Sequence, residues 1–130
     1  MTDSRPSELE MQVLTVLWDH GPSTVRQILE LLPDGKRRAY TTVLTVMQGM
    51  SRKGLVTHTQ SGQAHVYSPA VERTAVVRPL VQTLLQNVFS GNPLNVVQAL
   101  LDSTDVSADE LKEIRKLINS AAREAREERK

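Results

Sequence analysis

At 130 residues the chain is long enough for one domain, or for two very small ones sharing a core. It has no cysteine, which excludes disulfides and thiolate metal sites, and its apolar runs of a few residues are far too short to span a membrane. The net charge of +1 and the apolar share of 39% describe an ordinary soluble protein; with no apolar signal region behind Met1–Pro6, a cytoplasmic location is expected.

Ser7-x-x-Glu10 is a capping-box pattern that opens an apolar stripe of Leu9, Val13, Val16 and Leu17, and Gly21-Pro22 predicts a stop near His20. Ser23 or Thr24 caps a second helix, with Gln27 placed to complete a box with Thr24. Val25, Ile28, Leu29 and Leu32 form its apolar face, and Pro33-Asp34-Gly35 ends it. A third helix is expected from about Ala39 to Lys53, stopped by Gly54. Two strand-like segments, 56–60 and 64–68, flank the turn signal Ser61-Gly62-Gln63. Three helices and then a hairpin is the order of a winged helix-turn-helix, the hairpin being a small two-stranded wing.

The rest reads as helix, making the whole chain mainly α. Residues 72–89 are rich in valine and leucine, and Pro79 inside this run predicts a kink or a fresh helix start. Gly91 ends the run, Asn92-Pro93 caps a short helix, and Ser107-x-x-Glu110 is a second capping box. The charged tail from Arg123 is expected to fray. The expected division is a winged-helix DNA-binding domain over 1–70 and a helical dimerisation domain over 71–130.

Charge is unevenly spread. From Gly35 to Val71 there is no Asp or Glu, while Lys36, Arg37, Arg38, Arg52 and Lys53 fall in that stretch with His58 and His65. On a helical wheel, Val43, Val46, Met47 and Met50 face a core. Arg38, Thr41, Thr45, Gln48 and Arg52 share the opposite side, with Thr42 at its margin. A plain solvated helix face usually carries Glu beside Lys. A face with no acid, with hydrogen-bonding side chains and with arginine at both ends, suits double-stranded DNA. The DNA-contacting set is therefore Arg38, Tyr40, Thr41, Thr42, Thr45, Gln48 and Arg52, joined by Gln63 at the wing tip and His65 on its second strand. Gly49, mid-helix near this face, costs helix stability and suggests close approach by a neighbouring element or a DNA backbone. His20, His58 and His65 match no metal-ligand spacing, so no metal or other cofactor is expected. No phosphate loop, nucleophile elbow or carboxylate pair is recognisable, and the chain does not read as an enzyme.

The 72–89 helix is apolar around more than one face: Val77, Val81, Leu84 and Val88 form one stripe, widened by Val76, Leu80, Leu85 and Phe89. A second copy buries the excess most simply, through an interface of Val77, Leu80, Val81, Leu84, Leu85, Val88, Leu101, Leu111, Ile114 and Ile118. A homodimer would present two recognition helices to a palindromic site. The competing reading is a winged helix that serves as a protein-interaction module and shows no operator preference.

The segments LEMQVLTVLW (9–18), GPSTVRQILELL (21–32), AYTTVLTVMQGMSRKGLV (39–56) and GQAHVYSP (62–69) resemble the penicillinase repressor family, the BlaI, MecI and CopY relatives. So do Phe89-Ser90-Gly91 and the 105–111 segment. The resemblance implies a dimeric repressor with a winged-helix head, and the recognition role for Thr41, Thr42 and Thr45. It also implies promoter targets, in well-known members those of β-lactam resistance genes, and release by cleavage signalled by a membrane-bound sensor protease. Many relatives carry basic residues where this chain has Gly49 and Gln63, which points to weaker phosphate clamping or a different operator. The cleaved members have Asn-Phe where this chain reads Ala99-Leu100, a departure from that cut's pattern. Copper sensing through cysteines is excluded.

Overall fold

The computed structural model describes residues 5–128; the signal-region reading of residues 1–4 and the fraying expected of Arg129 and Lys130 lie outside the described residues. The elements are α1 (Glu8–His20), β1 (Ser23–Thr24), α2 (Val25–Leu31), α3 (Tyr40–Arg52), β2 (Val56–Ser61), β3 (Ala64–Pro69), α4 (Arg73–Asn87), α5 (Pro93–Ser103) and α6 (Ala108–Glu128). The fold is mainly helical, with the winged-helix order in its first half. Two compact units, residues 5–82 and 83–128, divide inside α4.

The capping signals act where the sequence puts them. Ser7 and Glu10 form a reciprocal box at α1, Thr24 and Gln27 form one at α2, and Gly21 ends α1 with φ 83. The wing closes through Gly62-Gln63, with Ser61 opposite Ala64 and Gly62 at φ 64, the pattern of a type II′ hairpin. The expected two-stranded wing gains a third strand: β1 pairs with β3, Ser23 opposite Tyr67 and Thr24 opposite Val66, in the order β1-β3-β2. Two residues are too few to show a period of two, so the strand has no sequence signal.

One core fills the first unit. Val13, Leu14, Val16 and Leu17 of α1 meet Val25 and Ile28 of α2, Val43, Met47 and Met50 of α3, and Val56 and Tyr67 of the sheet. Each fully buried aliphatic side chain contributes roughly 1.5–3 kcal/mol. Leu44, Val46 and Val76 pack on this core while half-buried, so Val76 serves the head and not the exposed stripe. Trp18 is half-buried against the core and donates its indole N–H to the Val71 carbonyl at 3.0 Å. The Arg73 guanidinium lies 5.2 Å from the Trp18 ring centre and pairs with Asp19 at 2.6 Å, tying the start of α4 to the end of α1.

In the second unit, Asn92 caps α5 by accepting from the Leu94 N–H at 3.0 Å, and Ser107 with Glu110 forms the box at α6. Pro79 does not start a new helix: α4 runs through it. A proline costs a helix one backbone bond, and the helix survives on the turns either side. The tail expected to fray is helical through Glu128. None of α4, α5 and α6 holds a fully buried residue.

Glu10 joins two parts of the head. It is 6% exposed, accepts the Ser7 N–H at 2.8 Å, and takes Lys53 Nζ on both oxygens at 3.0 Å. Burial alone raises its carboxyl, but the Ser7 N–H and the Lys53 ammonium outweigh that and hold it below its ordinary value of 4.5. Its contribution is therefore present above that ordinary value and is lost as pH falls through the lowered one. Glu10→Gln keeps the capping geometry and removes the charge pair. Urea unfolding at neutral pH is expected to show a loss of about 1–2 kcal/mol, below the cost of breaking a fully buried pair because Lys53 is half in water. The deficit should shrink in acid as the parent's Glu10 protonates; equal stabilities at neutral pH would refute the role.

Candidate nucleic-acid interface

α3 is pinned by its inner face. Val43, Met47 and Met50 are fully buried, so Thr41, Thr45, Gln48 and Arg52 point outward, all exposed. Thr42 is exposed at one margin, and Tyr40 and half-buried Leu44 lie at the other. The helix starts at Ala39 with no side-chain cap, which leaves first-turn N–H groups for an outside acceptor. The Thr45 hydroxyl donates to the Thr41 carbonyl at 2.9 Å, leaving its methyl and acceptor lone pairs outward.

Beside this face lies a groove of about 940 Å³ between α3 and the wing. Tyr40, Gln48 and Arg52 form one wall, and His58, Gln63, His65 and Tyr67 form the other, with Arg26 of α2 at one end. Among the described residues no carboxylate lines it. Five of the nine residues expected at DNA (Tyr40, Gln48, Arg52, Gln63 and His65) thus share one groove, while Thr41, Thr42 and Thr45 sit on the open face outside it. Burial, and then the neighbouring Tyr40, push the Tyr67 phenol above its ordinary value, so it enters the groove neutral.

Arg38 stands apart from the helix. It lies in the α2–α3 connection and grips Asp34 with two nitrogens, at 2.9 and 2.7 Å. Asp34 also accepts the Lys36 N–H at 3.0 Å and the Gln12 amide at 3.1 Å. The Arg38 bonds, then the Lys36 N–H, hold its carboxyl well below the usual carboxylate range. Of the five cations in the acid-free stretch, Arg38 and Lys53 are therefore paired with acids from outside it. Among the described residues, Lys36, Arg37 and Arg52 have no carboxylate within 4.0 Å. A face with unpaired cations, amide and hydroxyl groups and no acid is suited to a polyanion.

Arg26, His58 and Tyr67 line the groove without having been expected at DNA. Arg26 lies with its guanidinium 5.9 Å from the Tyr40 ring centre, a tertiary contact with no local signal. His58 was legible: with Ser61 opposite Ala64, strand alternation puts 58, 60, 65 and 67 on one face. Among the described residues, no three His, Asp or Glu side chains gather as a metal set.

The residues expected at a dimer interface lie on α4, α5 and α6. Val77, Val81, Leu84, Val88, Leu111 and Ile118 are exposed, while Leu80, Leu85, Leu101 and Ile114 are half-buried. The sequence reading omitted Leu94 and Leu117, each 72% exposed, and Leu100 at 54%.

Fold and face together define a DNA-binding transcriptional repressor of the winged-helix class. The penicillinase repressor family matches residues 6–120, and the chain belongs to that family. It is similar to the transcriptional regulator BlaI of Mycobacterium tuberculosis, 35% identical over 88% of this chain and 83% of that one. It is also similar to the methicillin resistance regulatory protein MecI of Staphylococcus aureus, 21% identical over 87% of this chain and 92% of the relative. Among solved structures, H. salinarum RosR shares the fold, with TM-score 0.55 at 20% identity, covering 92% of this chain and 97% of that one. Among the described residues no helix is long and apolar enough to cross a membrane.

Gly49 is not explained by packing within the chain. A Cβ there would meet the Arg52 guanidinium at 3.8 Å, an ordinary contact. Gly49→Ala is expected to stabilise the free protein by up to about 1 kcal/mol in thermal unfolding. If a DNA backbone passes over this turn, the same variant will bind DNA more weakly. A less stable Gly49→Ala protein would show that the glycine serves the fold instead.

Proposed function

We propose that the protein represses transcription as a homodimer whose two α3 helices read a palindromic or near-palindromic operator. The observation that carries this reading is the outer face of α3, whose threonines, Gln48 and Arg52 stand beside a groove that no carboxylate lines among the described residues. In this reading Thr41, Thr42, Thr45 and Gln48 meet base edges, while Arg52, the first turn of α3 and the wing residues Gln63 and His65 hold phosphates. Tyr40 packs against the backbone at the helix start. Arg38 orders the turn through Asp34 and lends positive potential at its surface.

Dimerisation is supported by helices that lack a core of their own. With no fully buried residue in α4, α5 or α6, their apolar faces call for a second copy. We assign DNA binding to residues 1–70 and dimerisation to 71–130. Relatives named for penicillinase and methicillin resistance lead us to place β-lactam-resistance or related stress genes among the targets. A membrane sensor protease is the proposed upstream partner, and chromosomal DNA makes the cytoplasm the working location.

Selection from a pool of random duplexes tests the function. Inverted repeats should be enriched, with half-sites about one helical turn, or a multiple of it, apart. No enrichment would leave the protein-interaction module standing. On an enriched duplex, Arg52→Ala should weaken binding to all sequences alike. Thr45→Ala should relax preference at one position by about 1–3 kcal/mol. Light scattering of Leu84→Asp with Val88→Asp should report a monomer where the parent is a dimer; a monomeric parent would overturn the assembly.

A further inference from the structure

His58 and His65 occupy the wing wall of the groove as a stacked pair, ring centres 4.7 Å apart and planes 8° from parallel. They are diagonal neighbours across the hairpin, since His58 pairs with Tyr67 and His65 with Gln60. From Gly54 to Glu72 the chain has no lysine or arginine. These imidazoles are therefore the groups on the hairpin that can acquire positive charge. The charged and titratable groups facing them are Arg26 from α2, Tyr40 and Arg52 from α3, and Tyr67 from β3. Among the described residues no carboxylate lines the groove, so a protonated imidazole there has no counter-charge in its walls, and a bound phosphate would supply one.

We propose that His58 and His65 form a proton-linked contact to the phosphate backbone of DNA, so that binding takes up protons and tightens as pH falls through neutrality. The inference rests on the DNA-binding reading above and adds to it a condition under which the grip changes. Histidine is the side chain whose charge normally switches in this range, and a phosphate within about 4–6 Å favours its charged form. Linkage then requires the protonated protein to bind the phosphate more tightly. A wing built this way lacks the permanent cations of a basic wing and acquires its ionic contact when protonated.

The test uses a random-sequence duplex of about three helical turns, carrying a pH-insensitive dye and read by fluorescence anisotropy at fixed ionic strength. The parent should bind roughly three- to tenfold more tightly near pH 6 than near pH 8, a shift of about one unit in one histidine being worth up to tenfold. The double variant His58→Gln, His65→Gln should lose most of that ratio, whatever its affinity near pH 8. The parent's salt dependence should also steepen near pH 6, by about one unit of slope for each added phosphate contact. Parent and double variant with the same pH ratio would overturn the proton-linked contact and leave the DNA-binding reading intact. No binding of the duplex at either pH would remove both.

Discussion

The inner face of α3 is the constraint on which the rest depends. Val43, Met47 and Met50 are fully buried in the same cluster as Leu14 and Leu17 of α1 and Ile28 of α2. Turning the helix by one residue, about 100°, would put Leu44, Gln48 and Ser51, or in the other direction Thr42, Val46 and Gly49, in their place and expose methionine. Burying an unpaired polar group costs about 1–3 kcal/mol, on top of the lost apolar burial. The hydrophobic effect, which has no interest in DNA, thus decides which side chains reach the surface. The carboxylate-free face is the complement of a well-packed core.

Electrostatics then sorts the cations around that face. Asp34 takes Arg38 into the turn before α3, and Glu10 takes Lys53 at its end. Both acids lie outside the acid-free stretch and are brought to it by α1 and by the α2–α3 connection. The paired cations serve the architecture, while Lys36, Arg37 and Arg52 are left without carboxylate partners among the described residues. Cations without a carboxylate partner thus gather on α3 and just before it, on a chain of near-neutral total charge.

The two halves of the chain solve burial differently. The head closes its own core from three helices and a three-stranded sheet. In α4, α5 and α6 leucines and valines stand at helical spacing, yet none is fully buried. The proposed second copy would cover the apolar faces that the second half leaves open.

Much of this was legible in the residues. Ser7-x-x-Glu10, Thr24-x-x-Gln27, Asn92-Pro93 and Ser107-x-x-Glu110 each start a helix where read, because capping is settled within four residues. The outward face of α3 was readable too, since a 3.6-residue period fixes faces before any partner is known. Other features needed the tertiary structure. Strand β1 is two residues that become a strand by lying beside β3. Arg38 was readable as a cation but not as one held by Asp34, and the stacking of His58 on His65 depends on hairpin register. The sequence by itself determined periodicity, caps and the absence of acid, all of which are local. Only the tertiary structure decided which charges are paired and which rings meet, because those energies act between groups that the fold brings within a few ångströms.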